Sequence, residues 1–324
     1  MNCVLPFDMS PGCIAYHNKA FPLGILKANL KEYDLWMTSK FINCIYRKNE
    51  HFFDLLDNDI WGTQQGLTET QTISVLPQVV SNGYIDVTDL LEFMFQSGYY
   101  LTGVYNEYYI PRKKPYKEFN FLHDYVLFGF DDRKKVFLSA GYIDTQKYET
   151  FEINYSDYLE SICKIGTSRV NLWFYKINKD FEVGFDIKYI VQQLENYINS
   201  VVPPDSTVSN DIYGIRVWDW LADYINKNAN PFLDLRYTRL FMEHKDLMFA
   251  RLCVLRNEGH LNNTILEMYY QEIVKPARLV HYLCLKYNLS HDSDINTRAY
   301  KIIKDINKSE HAVLNETIEQ IKQK

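Results

Sequence analysis

The spacing of apolar residues changes once along this chain, near Phe185, and that change narrows the folds open to it. Up to about Tyr175, short apolar runs alternate with Gly, Pro, Asn and Asp, as in Tyr99 to Ile110, Tyr125 to Phe130 and Lys135 to Leu138. That is the pattern of strands closed by turns. Beyond Phe185, residues Ile187, Ile190, Val191, Leu194, Tyr197, Ile198 and Val201 keep the i, i+3, i+4, i+7 spacing of one apolar helix face. The breaker cluster Pro203-Pro204-Asp205-Ser206 ends that helix. Three more amphipathic stretches follow, one marked by Leu240, Leu247, Met248, Leu252 and Leu255, then Asn263 to Asn288 and Asp294 to Gln323. There is no fixed-period repeat and no low-complexity tract. The expectation is an α+β fold, with a strand-rich domain over residues 1–180 and a helical domain over 181–324.

A chain of 324 residues with 47% hydrophobic composition can bury the cores of two such domains. Its net charge of -6 supplies no global basic field, so a nucleic-acid partner is not expected. The six cysteines lie far apart, without a CxxC pair or the spacing of a zinc site, and read as thiols. The first residues, MNCVLPFDMSPG, do not join a basic segment to an apolar one, and no apolar run is long enough for a membrane span. The expected location is cytoplasmic, with no membrane partner. The 26 tyrosines would suit a pocket for an aryl or acyl substrate, but codon bias in an AT-rich genome, which also enriches Lys, Asn and Ile, accounts for them better.

Among the cysteines, Cys13 follows the tight turn Ser10-Pro11-Gly12 and opens a segment able to make two helical turns before Pro22. A thiol at a helix N-terminus is favoured as the thiolate, the form that attacks carbonyl carbon. Cys3 precedes Val4-Leu5-Pro6 in an extended segment, and Cys44, Cys163, Cys253 and Cys284 fall within apolar patterns that read as core. A nucleophilic thiol needs a base, and the base needs a group to orient it. His123 opens the apolar run Tyr125 to Phe130, at the head of a hairpin strand whose turn is Asp131-Asp132-Arg133-Lys134. His17, four residues after Cys13, is a second candidate base. Asp144, past the returning strand, is the expected orienting carboxylate; Asp131 and Asp132 occupy the turn, and Asp124 should point to the opposite face from His123.

The series Cys13, His123 in HDYVLFGFDD, Lys135 to Leu138 and Asp144 resembles the N-terminal domain of butirosin-biosynthesis acyltransferases, of the papain and C39-peptidase-like superfamily. It also resembles the cysteine-protease-like amide synthetases of the closthioamide type. The resemblance covers roughly the first half of the chain. It implies a papain-like cysteine-protease-type N-terminal domain with a Cys13-His123-Asp144 triad. It also implies transfer of an acyl group from a phosphopantetheine thioester on an acyl or peptidyl carrier protein, through an acyl-S-enzyme, to a small amine acceptor, as in nonribosomal peptide or antibiotic biosynthesis. No bound cofactor and no metal are implied; phosphopantetheine belongs to the substrate. The chain departs from papain-like enzymes in having no Gln among residues 1–12 to serve the oxyanion. The Cys13 backbone N–H is the expected donor, with Asn2 or Ser10 beside it.

The basic loop Pro111-Arg112-Lys113-Lys114-Pro115-Tyr116-Lys117 reads as a solvated connection, or as a receiver of the phosphopantetheine phosphate or of an acidic carrier protein. Glu243, His244 and Asp246, or His281 with Cys284, lie in helical patterns without a recognised metal-ligand spacing. A hydrolytic cysteine peptidase is the competing expectation, because a triad alone does not separate transfer from hydrolysis. An interaction protein that has lost its chemistry is a third.

Overall fold

The hairpin expected around Asp131 to Lys134 forms the middle of a seven-stranded antiparallel sheet in the computed structural model of the protein, which describes residues 2–57, 59–166, 168–204, 210–227 and 232–324. The elements run β1 (Asn2–Val4), α1 (His17–Asn29), α2 (Tyr33–Met37), β2 (Cys44–Arg47), β3 (Phe52–Leu55), β4 (Thr68–Val75), α3 (Pro77–Ser81), α4 (Val87–Gln96) and β5 (Tyr100–Asn106). After a short 3-10 turn come β6 (Leu122–Asp131), β7 (Val136–Tyr142), β8 (Tyr148–Asn154), α5 (Tyr155–Cys163) and β9 (Val170–Ile177). The remainder is α6 (Ile187–Ile198), β10 (Ile212–Tyr213), α7 (Arg216–Lys227), α8 (Leu235–Asn257), α9 (Asn263–Tyr269), a π turn, α10 (Lys275–Ser290) and α11 (Ser293–Lys322). The fold is α+β, with a large antiparallel sheet and C-terminal helices.

Two units emerge. The first comprises residues 1–31 and 59–182, the second residues 32–58 and 183–324. The later boundary falls two residues from the expected 180/181, but residues 32–58, expected in the first domain, pack with the helices. Their burial explains this: β2 pairs with both β3 and β10. The Arg251 guanidinium of α8 donates to the Thr38 and Lys40 carbonyls, and His244 Nε2 donates to the Ile42 carbonyl at 3.0 Å. Within the expected helical domain 181–324, β10 is a strand among the described residues. The helix over Ile187–Ile198 is present; of the breaker cluster after it, Asp205 and Ser206 lie outside the described residues. No helix among the described residues is long and apolar enough to cross a membrane.

In the first unit the strand order is β4-β9-β5-β6-β7-β8, with β1 paired to the far end of β6. Residues Tyr125 to Phe130 of β6 are buried without interruption, as in a strand covered on both faces. Tyr125 stacks on Tyr105 at 4.8 Å and its hydroxyl meets that of Tyr158 at 2.7 Å, so the one polar atom it brings into the core is satisfied. The β6–β7 register shifts between Leu127 and Gly129, and at Gly129 the Cys3 carbonyl of β1 occupies the space a Cβ would need.

In the second unit a charged pair lies inside the helical core. Lys245 and Glu310 are both fully buried and 2.6 Å apart. Tyr197 and Tyr269 donate to the same carboxylate at 2.9 and 2.7 Å, and Trp218 Nε1 donates to the Tyr197 hydroxyl. Burial pulls the Lys245 ammonium below its ordinary range, and Glu310 opposes that. Each member is hydrogen-bonded, the condition under which such a pair is tolerated in a core.

Candidate active site

His123 sits at the second position of β6, where the strand leaves the core, and its side chain remains 38% exposed. Across the ladder it faces Tyr105 of β5. Glu107, two residues further along the neighbouring chain, is therefore its diagonal neighbour on the same face. The Glu107 backbone N–H donates to Phe121 O at 2.8 Å, which fixes the carboxylate just past the end of β5. Glu107 Oε1 accepts from His123 Nδ1 at 2.9 Å, and the carboxylate is nearly buried. An ionised carboxylate only accepts, so Nδ1 carries the hydrogen and the Nε2 lone pair is left available as a base.

The same Oε1 lies 3.5 Å from the ammonium of Lys113, which also donates to the Tyr142 carbonyl at 2.7 Å. Lys113 is buried, and burial lowers its pKa while Glu107 raises it. The basic loop therefore turns one of its cations inward as the counter-charge of the carboxylate that orients His123. Of the others, Arg112 pairs with Glu149, and Lys117 lies over the rings of Tyr108, Tyr109 and Tyr116 at 5.0–5.5 Å.

His17 is the second imidazole. Its ring lies 4.5 Å from that of His123 and stacks on Phe21 and Tyr142. The Tyr142 N–H points at His17 Nε2 over 3.4 Å, so Nε2 is the acceptor. Burial, then the charges of His123 and Lys113, hold His17 well below the usual imidazole range, with a hydrogen bond to the backbone at Asp124 acting the other way. Gly141 leaves room for this group: a Cβ there would stand 3.2 Å from Lys113 Nζ and 3.4 Å from His17 Nε2.

Three expectations need correction. Asp144 does not orient His123; it is exposed, and its Oδ1 accepts from the Thr145 backbone N–H at 2.8 Å, in the turn joining β7 to β8. A residue that must close that turn has its carboxylate committed locally, and Glu107 takes the expected role. Nor does Cys13 begin a helix. α1 starts at His17, and Cys13 lies four residues earlier in an irregular segment that follows Gly12, whose φ of 97° favours glycine. Cys13 is fully buried, and the segment is tied to the sheet end by the Tyr142 hydroxyl, which donates to Ile14 O at 2.9 Å. Pro22 does not end α1 either. The helix continues to Asn29, and the carbonyl Pro22 leaves without its usual donor belongs to Asn18, an exposed residue.

Ser10, one expected helper for the oxyanion, has its N–H on Asp8 and its carbonyl on Lys27. The residues considered as metal ligands have other partners: Glu243 pairs with Arg239, Asp246 with Arg278, and His281 Nδ1 with Thr238 Oγ1. Glu107 carries a signal in the sequence, as the one charged residue between Tyr99 and Ile110.

No protein-family model matches the chain, and no curated protein matches it.

Proposed function

We propose that the chain is a cysteine-dependent acyltransferase of papain-like type, with Cys13 as nucleophile, His123 as general base and Glu107 in place of Asp144. The observation that carries this reading is the His123–Glu107 hydrogen bond, backed by the buried Lys113 ammonium, because it leaves Nε2 as an oriented base at the half-open end of the site. A helix followed by an antiparallel sheet with the imidazole on one strand and its carboxylate beside it supports the papain-like comparison.

In the reaction, His123 Nε2 takes the Cys13 proton and the thiolate attacks a thioester carbonyl. The tetrahedral adduct expels the pantetheine thiolate, which leaves with the proton from His123, and Cys13 carries the acyl group. An amine then attacks, gives its proton to His123, and departs as the amide while Cys13 recovers a proton. One thioester is exchanged for another before the amide forms, so the steps balance without an oxidant or a nucleotide. A carrier protein is the proposed bearer of the donor thioester.

The test is intact-protein mass spectrometry of the full chain mixed with acyl-pantetheine thioesters, followed by addition of a small amine. An adduct on the parent protein that Cys13→Ala lacks, and that amine converts to amide, is the expected result. Glu107→Gln should slow acylation by about 10²-fold or more, the scale of a disabled general base, while Asp144→Asn stays within about threefold. An adduct discharged only by water favours the hydrolase. An adduct that persists in Cys13→Ala, or slowing by Asp144→Asn equal to that by Glu107→Gln, refutes the assignment of roles.

A further inference from the structure

The chain leading into β6 carries two exposed phenyl rings next to His123: Phe119 (51% exposed) and Phe121 (43%). The rings form a sequence, with Phe119 edge-on to Phe121 at 6.4 Å and Phe121 5.2 Å from the imidazole of His123. Their backbone is fixed: Phe121 N donates to Asn106 Oδ1 at 3.2 Å, and its carbonyl accepts from Glu107 N. The same residues that place the carboxylate on His123 thus hold an apolar shelf in contact with that histidine. Isolated exposed apolar residues are ordinary, but a contiguous row on rigid backbone is a binding feature.

We infer that the Phe119–Phe121 shelf is the acyl-group subsite, and that the substrate carries an apolar acyl chain laid along it from His123 outward. This rests on the acyl-transfer reading of the same site. The occupant follows from position. The group nearest His123 in the reaction is the acyl carbonyl, and what extends from it meets the ring of Phe121 and then that of Phe119. A charged or hydroxylated acyl chain would lose hydration there without gaining a hydrogen bond.

The experiment measures acylation rates of the parent, Phe119→Ser and Phe121→Ser proteins with acetyl-, butanoyl-, hexanoyl- and octanoyl-pantetheine, read as adduct mass on the intact chain. A buried methylene is worth about 0.8 kcal/mol, and a one-sided shelf covers roughly half of it, so the rate should rise about twofold per methylene in the parent. Octanoyl should then exceed acetyl by about 60-fold. Both serine variants should flatten that slope, read within each protein as the ratio of the octanoyl to the acetyl rate. Both positions are exposed, so folding is not at stake, and far-UV circular dichroism checks it. Equal rates for all chains in a parent that does form the adduct overturn the subsite and leave Cys13 acylation standing. Slowing by Phe121→Ser at every chain length alike assigns the rings to the pantetheine arm or its carrier and likewise overturns it. No adduct with any thioester removes the acyl-transfer reading, and this inference with it.

Discussion

Lowering the pH from 7 to 5 should destabilise this protein before any carboxylate of ordinary pKa titrates, and the cause is a pair of buried neutral imidazoles. His244 of α8 is fully buried. Its Nε2 faces the Ile42 carbonyl, and its Nδ1 lies 3.4 Å from the Lys245 ammonium, so a proton on Nδ1 would set two cations side by side. Burial first, then Lys245, hold its pKa well below the usual imidazole range, and His17 in the other unit is held down by burial, His123 and Lys113. A histidine whose folded pKa is depressed stays neutral while the unfolded chain takes up a proton below about 6.5, so stability falls as pH falls through that value. Each such group costs about 2 kcal/mol at pH 5 relative to pH 7, one in each unit. His281, pushed down to about 4 by burial and then Arg239, adds a smaller amount because it is only partly buried. For units of this size the loss corresponds to a fall in Tm of about 4–8 °C. The assay is thermal unfolding at pH 7 and pH 5 for the parent and for His244→Gln, whose amide keeps a donor for Ile42 but does not titrate. The variant starts less stable, yet its loss between the two pH values should be smaller by about 2 kcal/mol. A variant with the parent's pH dependence would refute the reasoning, because acid sensitivity would then come from groups other than this imidazole.

Two further predictions concern the scaffold. Glu310→Gln leaves the Lys245 ammonium buried without its counter-charge and should cost about 3–5 kcal/mol in urea unfolding, whereas Lys245→Met with Glu310→Leu should cost clearly less than the sum of the two single changes; additive losses would mean the pair is not coupled. Gly129→Ala sets a Cβ against the Cys3 carbonyl, a backbone atom that moves only with β1. It should lower stability by about 2 kcal/mol or more and increase hydrogen exchange at Leu5, whose N–H donates to Phe128 O; unchanged protection there would show β1 adapting without loss of its pairing.

What the sequence made legible was local. The strand at Tyr125 to Phe130, the turn after it and the four amphipathic stretches beyond Phe185 are each specified by residues close together in the chain, and each is present. Contacts between distant segments were not legible. Residues 32–58 look like part of a strand-rich domain by their own pattern, but Ile42 and Thr38 present carbonyls to His244 and Arg251, two hundred residues away. The candidate site divides in the same way. His123 was found because a histidine heading an apolar strand stands out. Following the hairpin forward from His123 leads to Asp144, whereas the sheet places β5, earlier in the sequence, on the other side of β6, and Glu107 comes with it. The choice between the two strands flanking β6 is fixed by strand order, which periodicity does not carry.

The two imidazoles also bear on how many protons the site handles at once. Glu107 divides its charge between Lys113 and His123, so the three together are neutral when His123 is neutral and carry one positive charge when it accepts a proton. His17, against the face of His123 and close to Lys113, is kept neutral by both. A second proton in the cluster would thus meet two cations within a buried space, at a Coulomb cost of several kcal/mol even at an effective dielectric near 20. On the acyl-transfer reading this suits the chemistry, since each half-reaction moves one proton from an attacking thiol or amine to a leaving thiolate.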